Sequence, residues 1–240
     1  MKKCFLGLMT ILTVAIVNVN VASCSKDDEE SGGSESKTDI HEWVDLGLPS
    51  GTLWATCNVG AEKPEDYGDF FAWGETVGYK GGKKNFSWST YKYCEGTDDT
   101  MTKYCISSSY GVVDNKKELE PSDDAASANW GSNWRMPTGE EFDELINNSY
   151  TITEWITVNG VNGRKITSKS TGNSIFLPAA GFRYGTSLDN TGSDGNYWSR
   201  SLGSGYSFVG YVLYFSSGSI GASYYFRFLG RSVRPVRVQQ

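Results

Sequence analysis

The sequence predicts an α+β fold, with two short helices set among many short strands. Three observations carry that expectation. Apolar runs are short and are cut by Pro, Asn and the 28 Gly of the chain, the punctuation of strands and turns. Helical periodicity is credible in two places, 123–130 and 138–147. No self-similarity recurs at a period of ~20–50 residues, which argues against a solenoid or propeller. With 38% hydrophobic and 14% aromatic residues, the chain can bury a core and is not wholly disordered. Its 240 residues make one large domain or two small ones.

The chain opens with Lys2 and Lys3 and a mostly apolar stretch from Phe5 to Val21, which reads as a secretory leader over 1–23. No run reaches ~18 consecutive apolar residues, which argues against a helix that spans a membrane in the mature chain. Val21-Ala22-Ser23-Cys24 resembles a bacterial lipobox. That resemblance implies lipidation of the Cys24 thiol and a membrane anchor, each buried CH₂ contributing ~0.8 kcal/mol. Ser25-Lys26-Asp27-Asp28-Glu29-Glu30 is similar to the signal that sends lipoproteins of some Gram-negative gut bacteria to the cell surface, outside the outer membrane. Ser31 to Ser36 form a polar, flexible tether. Residues 24–38 are thus the lipidated Cys and acidic tether, and 39–240 the folded domain. Loss of Lys2 and Lys3 with the leader moves the net charge from −6 to about −8.

Within the domain, Val44–Leu48 and Thr52–Val59 read as short strands parted by the Pro49-Ser50-Gly51 turn. Phe70-Phe71-Ala72-Trp73 is a further apolar run. Residues 80–117 are polar with scattered aromatics, a long loop region pinned by buried rings. Asp123–Trp130 is Ala-rich, with acids at its start that suit the helix dipole. In Thr138–Asn147, Thr138 and Glu141 form a capping box, and Phe142, Leu145 and Ile146 share one face. Trp155–Lys169 carries Asn159-Gly160 and Asn162-Gly163, both hairpin dipeptides. Ile175–Leu177 is a short buried strand ended by Pro178, and Val233, Val236 and Val238 belong to the last strand.

Charge and composition exclude several functions. A net charge of −6 argues against a general nucleic-acid binder. His41 is the one histidine, which removes most acid–base and zinc mechanisms. It lies at the border of tether and domain and reads as incidental. No cofactor or metal site is expected. Five Cys occur. Cys4 leaves with the leader, Cys24 is the lipid site, and Cys57 sits in an apolar run as a buried free thiol. Cys94 and Cys105 bracket a polar loop; a disulfide that staples it and two free thiols both remain open. Asp123-Asp124 and Glu140-Glu141 sit at helix starts, where carboxylates serve the dipole rather than catalysis.

Six phrases stand in order along the domain: Val44-Asp45-Leu46-Gly47-Leu48-Pro49-Ser50-Gly51-Thr52-Leu53-Trp54-Ala55, Phe71-Ala72-Trp73-Gly74-Glu75-Thr76, Trp134-Arg135-Met136-Pro137-Thr138, Leu177-Pro178-Ala179-Ala180-Gly181, Tyr197-Trp198-Ser199 and Gly230-Arg231-Ser232-Val233-Arg234-Pro235-Val236-Arg237. Together they resemble the FISUMP-type (major paralogous) domain of bacterial surface lipoproteins, over residues 43–238. The resemblance implies a C-type-lectin-like, formylglycine-generating-enzyme-like fold. The enzyme branch holds copper on a late Cys pair. Here Cys105 is the last Cys, so that activity does not carry over and the chain is not read as an enzyme. The calcium-dependent lectin triplets are also missing: Glu120-Pro121-Ser122 departs from Glu-Pro-Asn, and no Trp-Asn-Asp occurs.

Residues 201–230 hold seven Ser, six Gly, five Tyr and four Phe, and no Lys, Glu, Gln, Met, Trp, Asn or Asp. Rigid amphipathic rings among small residues are the mixture of an antibody paratope. The segment resembles the variable region of retroelement-diversified proteins, where adenine-directed mutagenesis of Asn codons cannot reach Lys, Glu, Gln, Met or Trp. That resemblance implies a template repeat and a reverse-transcriptase gene nearby. Period 2 puts Leu213 and Phe215 on a core face and Val212, Tyr214 and Ser216 on the other. The expected ligand-binding set is Gly203, Gly205, Tyr206, Phe208, Gly210, Tyr211, Val212, Tyr214, Ser216, Gly218, Gly221, Ser223, Tyr224, Tyr225, Phe226 and Phe228. From Gly195 onward there are five Arg and no acid; Arg231, Arg234 and Arg237 are expected to pair with upstream carboxylates, an anionic-ligand site being the alternative. The sequence thus reads as a surface-anchored receptor or adhesin for a protein or glycan. The alternatives are a fixed glycan- or cell-wall-binding module and, least favoured, an oxidase of the formylglycine-generating type.

Overall fold

A computed structural model describes residues 41–238. The expected leader, Cys24 and the tether lie outside the described residues. Asp39–Gln240 groups as one compact unit, and both hydrophobic clusters of the described residues lie inside it, which is what a domain needs to fold alone. Its strands are β1 (Trp43–Asp45), β2 (Thr52–Ala55), β3 (Thr151–Val158), β4 (Val161–Ser168), β5 (Ser174–Pro178), β6 (Phe182–Tyr184), β7 (Ser187–Asp189), β8 (Gly195–Leu202), β9 (Val209–Phe215), β10 (Ile220–Phe226) and β11 (Val236–Val238). The helices are α1 (Ala125–Trp130) and α2 (Gly139–Leu145). The strands pair antiparallel in four small sheets, ordered β1-β2-β11, β10-β9-β8, β3-β4-β5 and β6-β7.

The α+β, C-type-lectin-like class expected from the sequence is corrected by this arrangement. The described residues are mostly strand and loop, and the helices span six and seven residues. Helices of under two turns cannot form a layer of their own and depend on the sheets they touch. The Phe70–Trp73 run forms no strand, only an isolated bridge from Phe71 to Arg231. The second expected strand stops at Ala55, and Asn162-Gly163 lies inside β4 while Asn159-Gly160 makes the β3–β4 turn. Among the described residues no helix is long and apolar enough to cross a membrane.

The helix starts behave as their sequences require. Thr138 Oγ1 accepts from Glu141 N at 3.1 Å, and Glu141 returns the bond to Thr138 N at 2.8 Å. Glu141 is also clamped by both terminal nitrogens of Arg135, at 2.7 and 2.6 Å. Burial pushes its carboxyl up, but the Arg135 guanidinium, the Thr52 hydroxyl and the Thr138 N–H together outweigh it and hold the pKa below the usual value. Asp124 caps α1 by accepting from Ala126 N and Ser127 N, and also takes Met136 N. His41 stacks on Trp130 with ring centroids 3.7 Å apart.

The thiols follow the free alternative left open for Cys94 and Cys105, and Cys57 is free as expected but not buried. Cys57, Cys94 and Cys105 are all free. Cys94 Sγ donates to Trp88 O at 3.2 Å and Cys105 Sγ to Ser107 O at 3.1 Å, so the two sulfurs serve different loop carbonyls and no bridge staples the loop. Cys105 is the buried thiol, whereas Cys57, two residues past the end of β2, is half-buried.

Trp54, Trp73, Trp134 and Trp198 are fully buried, and so are Arg227, Arg231 and Arg234. The expected pairing of the late arginines with carboxylates holds for neither Arg231 nor Arg234. Arg234 gives Nε to Asn58 Oδ1 (2.8 Å), Nη1 to Ala55 O and Thr56 O (3.0 and 2.6 Å) and Nη2 to Phe176 O (3.0 Å). Arg231 lies among the rings of Tyr225, Trp198 and Phe182, at 4.2, 5.2 and 5.5 Å, and Nη1 donates to Asn196 Oδ1. Desolvation pulls its pKa down to about 9. Arg237 lies over the Trp134 ring at 5.6 Å. Arg200 does reach an upstream acid, Glu118, at 3.4 Å. For Arg234 the physical reason is that buried carbonyls in and beside the strands can accept further donors, and a guanidinium supplies five in a fixed fork; Arg231 instead uses Asn196 and the ring faces.

A second polar knot ties the long loop. Lys103 Nζ donates to Asp123 Oδ2 at 2.5 Å, and Tyr104 OH donates to the same oxygen at 2.7 Å. Burial raises the Asp123 pKa, but these donors outweigh it and hold it at about 2.

Two outcomes are expected. Arg234→Met, which strands four acceptors, lowers unfolding free energy by roughly 3–5 kcal/mol in urea titration. Asp123 contributes about 2 kcal/mol of stability above the pH of an unfolded carboxylate, ~3.9, and this is lost as pH falls through about 2. In Asp123→Asn the stability-versus-pH curve is correspondingly flatter between pH ~4 and ~2.

Candidate functional site

The segment 201–230 builds the end of β8, all of β9 and β10, and the loops beside them. In register, β10 opposes β9 as Ile220↔Phe215, Ala222↔Leu213, Tyr224↔Tyr211 and Phe226↔Val209. β9 is the middle strand and is covered on both sides. Leu213 and Phe215 join Phe142 and Leu145 of α2 in one cluster, while Val212 and Trp198 belong to the other with Trp73. The expected core face is therefore right for Leu213 and Phe215, but Val212 is 0% exposed. It belongs to the buried cluster that also holds Phe71, Trp73 and Trp198.

Three further members of the expected set are buried. A Cβ on Gly210 would stand 2.8 Å from Trp73 Cδ1, and one on Gly203 would stand 2.6 Å from Val209 Cγ2. Phe228 is 4% exposed and lies 4.6 Å from the Trp88 ring centre. These positions hold the sheet against its cover and cannot meet a ligand as the fold stands. Gly205, Tyr206, Gly218, Tyr224 and Phe226 are exposed, and Phe208, Tyr211, Tyr214, Ser216, Gly221, Ser223 and Tyr225 are half-buried.

β10 is an edge strand, one step beyond the cover, and its burial alternates along Ala222 to Phe226. Its outward side chains meet rings from the loops and form a ridge, which the buried Phe228 ties to Tyr184 from beneath. Tyr206 contacts Tyr110 and Phe208 with centroids 6.0 and 5.3 Å apart. Phe208 then meets Phe226 at 6.0 Å, Phe226 meets Trp88 at 5.8 Å, and Phe228 meets Tyr184 at 5.9 Å. Tyr206, Phe226 and Tyr184 are 53%, 45% and 58% exposed. Tyr224 shares the face of Phe226 by period 2 and meets Tyr211 at 5.4 Å. Tyr211 OH donates to Asp143 Oδ1 from α2; burial, reinforced by that carboxylate, raises its pKa.

Trp88, Tyr110 and Tyr184 complete the ridge and were missed from the sequence. Two of them fall in the polar 80–117 loop region, whose scattered rings looked like buried pins. No local signal separates them, since Phe86 and Tyr91 have equally polar neighbours in the same region and are buried.

Chemically, the ridge offers aromatic area and edges and no acid–base pair. Among the described residues no cluster of three or more His, Cys, Asp or Glu is placed to hold a metal ion. No family model, no curated protein and no solved structure matches the chain.

Display and core roles separate in stability. Phe226→Ser and Tyr206→Ser are expected to change unfolding free energy by no more than about 1 kcal/mol, and Phe228→Ser to cost about 3–5 kcal/mol. Equal costs at Phe226 and Phe228 in urea titration would make the ridge an outlying part of the core.

Proposed function

We propose that this chain is a non-catalytic binding protein, a FISUMP-type surface lipoprotein held to the outer membrane by lipid on Cys24 and facing the cell exterior. Its recognition surface is the ring ridge together with the outward face of β10. The observation that carries this reading is the chain of ring contacts from Tyr206 through the half-buried Phe208 to Phe226, joined to Tyr184 beneath the surface by the buried Phe228, with Tyr206, Phe226 and Tyr184 open to solvent. Rings in contact with one another and open to solvent mark interaction surfaces in soluble domains. Tyr gives large contact area at low entropy cost, and Ser and Gly give adaptable neighbours.

The burial pattern also supports diversification of this surface. Ala222, Tyr224 and Phe226 on β10, and Ser204, Gly205 and Tyr206 in the β8–β9 loop, are exposed. Side chains there can change without disturbing the buried faces of β9. The partner on this reading is a protein or glycan of another surface, and neither nucleic acid nor a cofactor takes part.

The test is a binding screen of residues 39–240 against surface proteins and cell-wall glycans. For a partner so found, Tyr206→Ala, Tyr224→Ala and Phe226→Ala combined should weaken binding at least ~30-fold, about the loss of one hot-spot ring at ~2 kcal/mol. Undiminished binding by that variant places the site elsewhere.

A further inference from the structure

The β3-β4-β5 sheet has a second face that the ridge does not use. Alternation along β4 sends Arg164, Ile166 and Ser168 inward and leaves Lys165 on the opposite side. In register Lys165 lies between Glu154 of β3 and Phe176 of β5, and Ile156 opposes Gly163. Gly163 leaves room for the Phe176 ring, which would be 2.5 Å from a Cβ there. Ile156, Val158 and Phe176 form an apolar floor, Thr56 and Pro64 a wall, and the whole is a cleft of about 360 Å³. That volume falls in the range of small-molecule sites, ~300–1,000 Å³.

Lys165 is the one charged residue lining the cleft. The ammonium groups of Lys83, Lys92, Lys103 and Lys116 each reach a carboxylate within 4 Å, whereas among the described residues Lys63, Lys80, Lys84, Lys117 and Lys169 do not; what sets Lys165 apart is its place at the apolar cleft. Among the described residues Lys165 has no ion pair, its register neighbour Glu154 included. The Ser174 and Thr56 hydroxyls are the other polar groups of the lining. A half-buried cation at an apolar cleft selects a ligand with an apolar body and a single negative head, because desolvation of the body and neutralisation of the lysine are then satisfied together. A polyanion would meet one cation and the nearby Glu154.

We propose that this cleft is a second binding site, for a small aliphatic or aromatic monocarboxylate whose carboxylate rests on Lys165. It shares no residue with the ring ridge, so it stands or falls independently of that surface.

Methyl NMR of residues 39–240 titrated with octanoate and, separately, with octanol tests it. Octanoate should shift the Ile156, Val158 and Ile175 methyls saturably and bind at least about tenfold more tightly than octanol, the effect of one charge-assisted contact. Lys165→Met should erase that preference while leaving octanol binding unchanged, and Lys165→Arg should keep it. Absence of saturable shifts at those methyls, equal affinity for the two ligands, or a preference that survives Lys165→Met would overturn the proposal. If Lys165→Met fails to fold, the native comparison and Lys165→Arg still decide.

Discussion

Arg227 and Arg234 each carry a whole guanidinium into the interior and give its protons chiefly to backbone carbonyls of distant segments. Arg227 reaches Ser207 O, Tyr104 O and Lys103 O at 2.7, 3.2 and 3.0 Å, and Tyr91 OH at 2.8 Å. A chain with this much irregular backbone has many buried carbonyls and few ladders to receive them. Carboxylate partners would neutralise the charge but leave those carbonyls unsatisfied. The fork of donors solves the larger problem, and ring faces such as Trp73, 4.7 Å from the Arg227 guanidinium, supply favourable surroundings for the charge. Arg164 repeats the device at the β9–β10 turn, donating to Ser216 O, Ser217 O and Ser219 O.

This anchoring decides what the surface can do. Because loops are tied by arginines, they can lie as a cover on the β10-β9-β8 sheet, and β9 is buried on both faces. Display is thereby confined to the edge strand and to the loop before β9. Rings from 84–110 and from β6 approach that edge and turn isolated side chains into a ridge. The β3-β4-β5 sheet lacks such a cover on one side, which leaves an apolar cleft with its own lysine. Two surfaces of different chemistry follow from where the irregular backbone happens to lie.

Local features were legible in the sequence. The capping box of Thr138 and Glu141, the Asn159-Gly160 turn and the core positions Leu213 and Phe215 depend on neighbours within a few residues or on strand period alone. Expectations that required knowing what lies on top did less well. Val212, Gly210 and Phe228 have the spacing or composition of display positions, but Gly210 meets Trp73, Phe228 meets Trp88, and Val212 is buried in the same cluster. The carboxylate pairing expected of Arg231 and Arg234 failed because charge balance was used where buried acceptors and ring faces govern. The helices were found, yet their shortness makes the described domain mostly strand and loop rather than α+β.

The sequence by itself determined the order of the short elements, their caps and turns, the segment that supplies the edge strand, and the concentration of Tyr, Ser and Gly within it. These follow from period, propensity and local hydrogen bonding. Only the tertiary structure decided which rings are exposed, which carbonyls the arginines serve, and that Trp88, Tyr110 and Tyr184 join the ridge. Those outcomes turn on contacts between residues from 20 to 179 positions apart, and no local pattern encodes which loop will cover which face of a sheet.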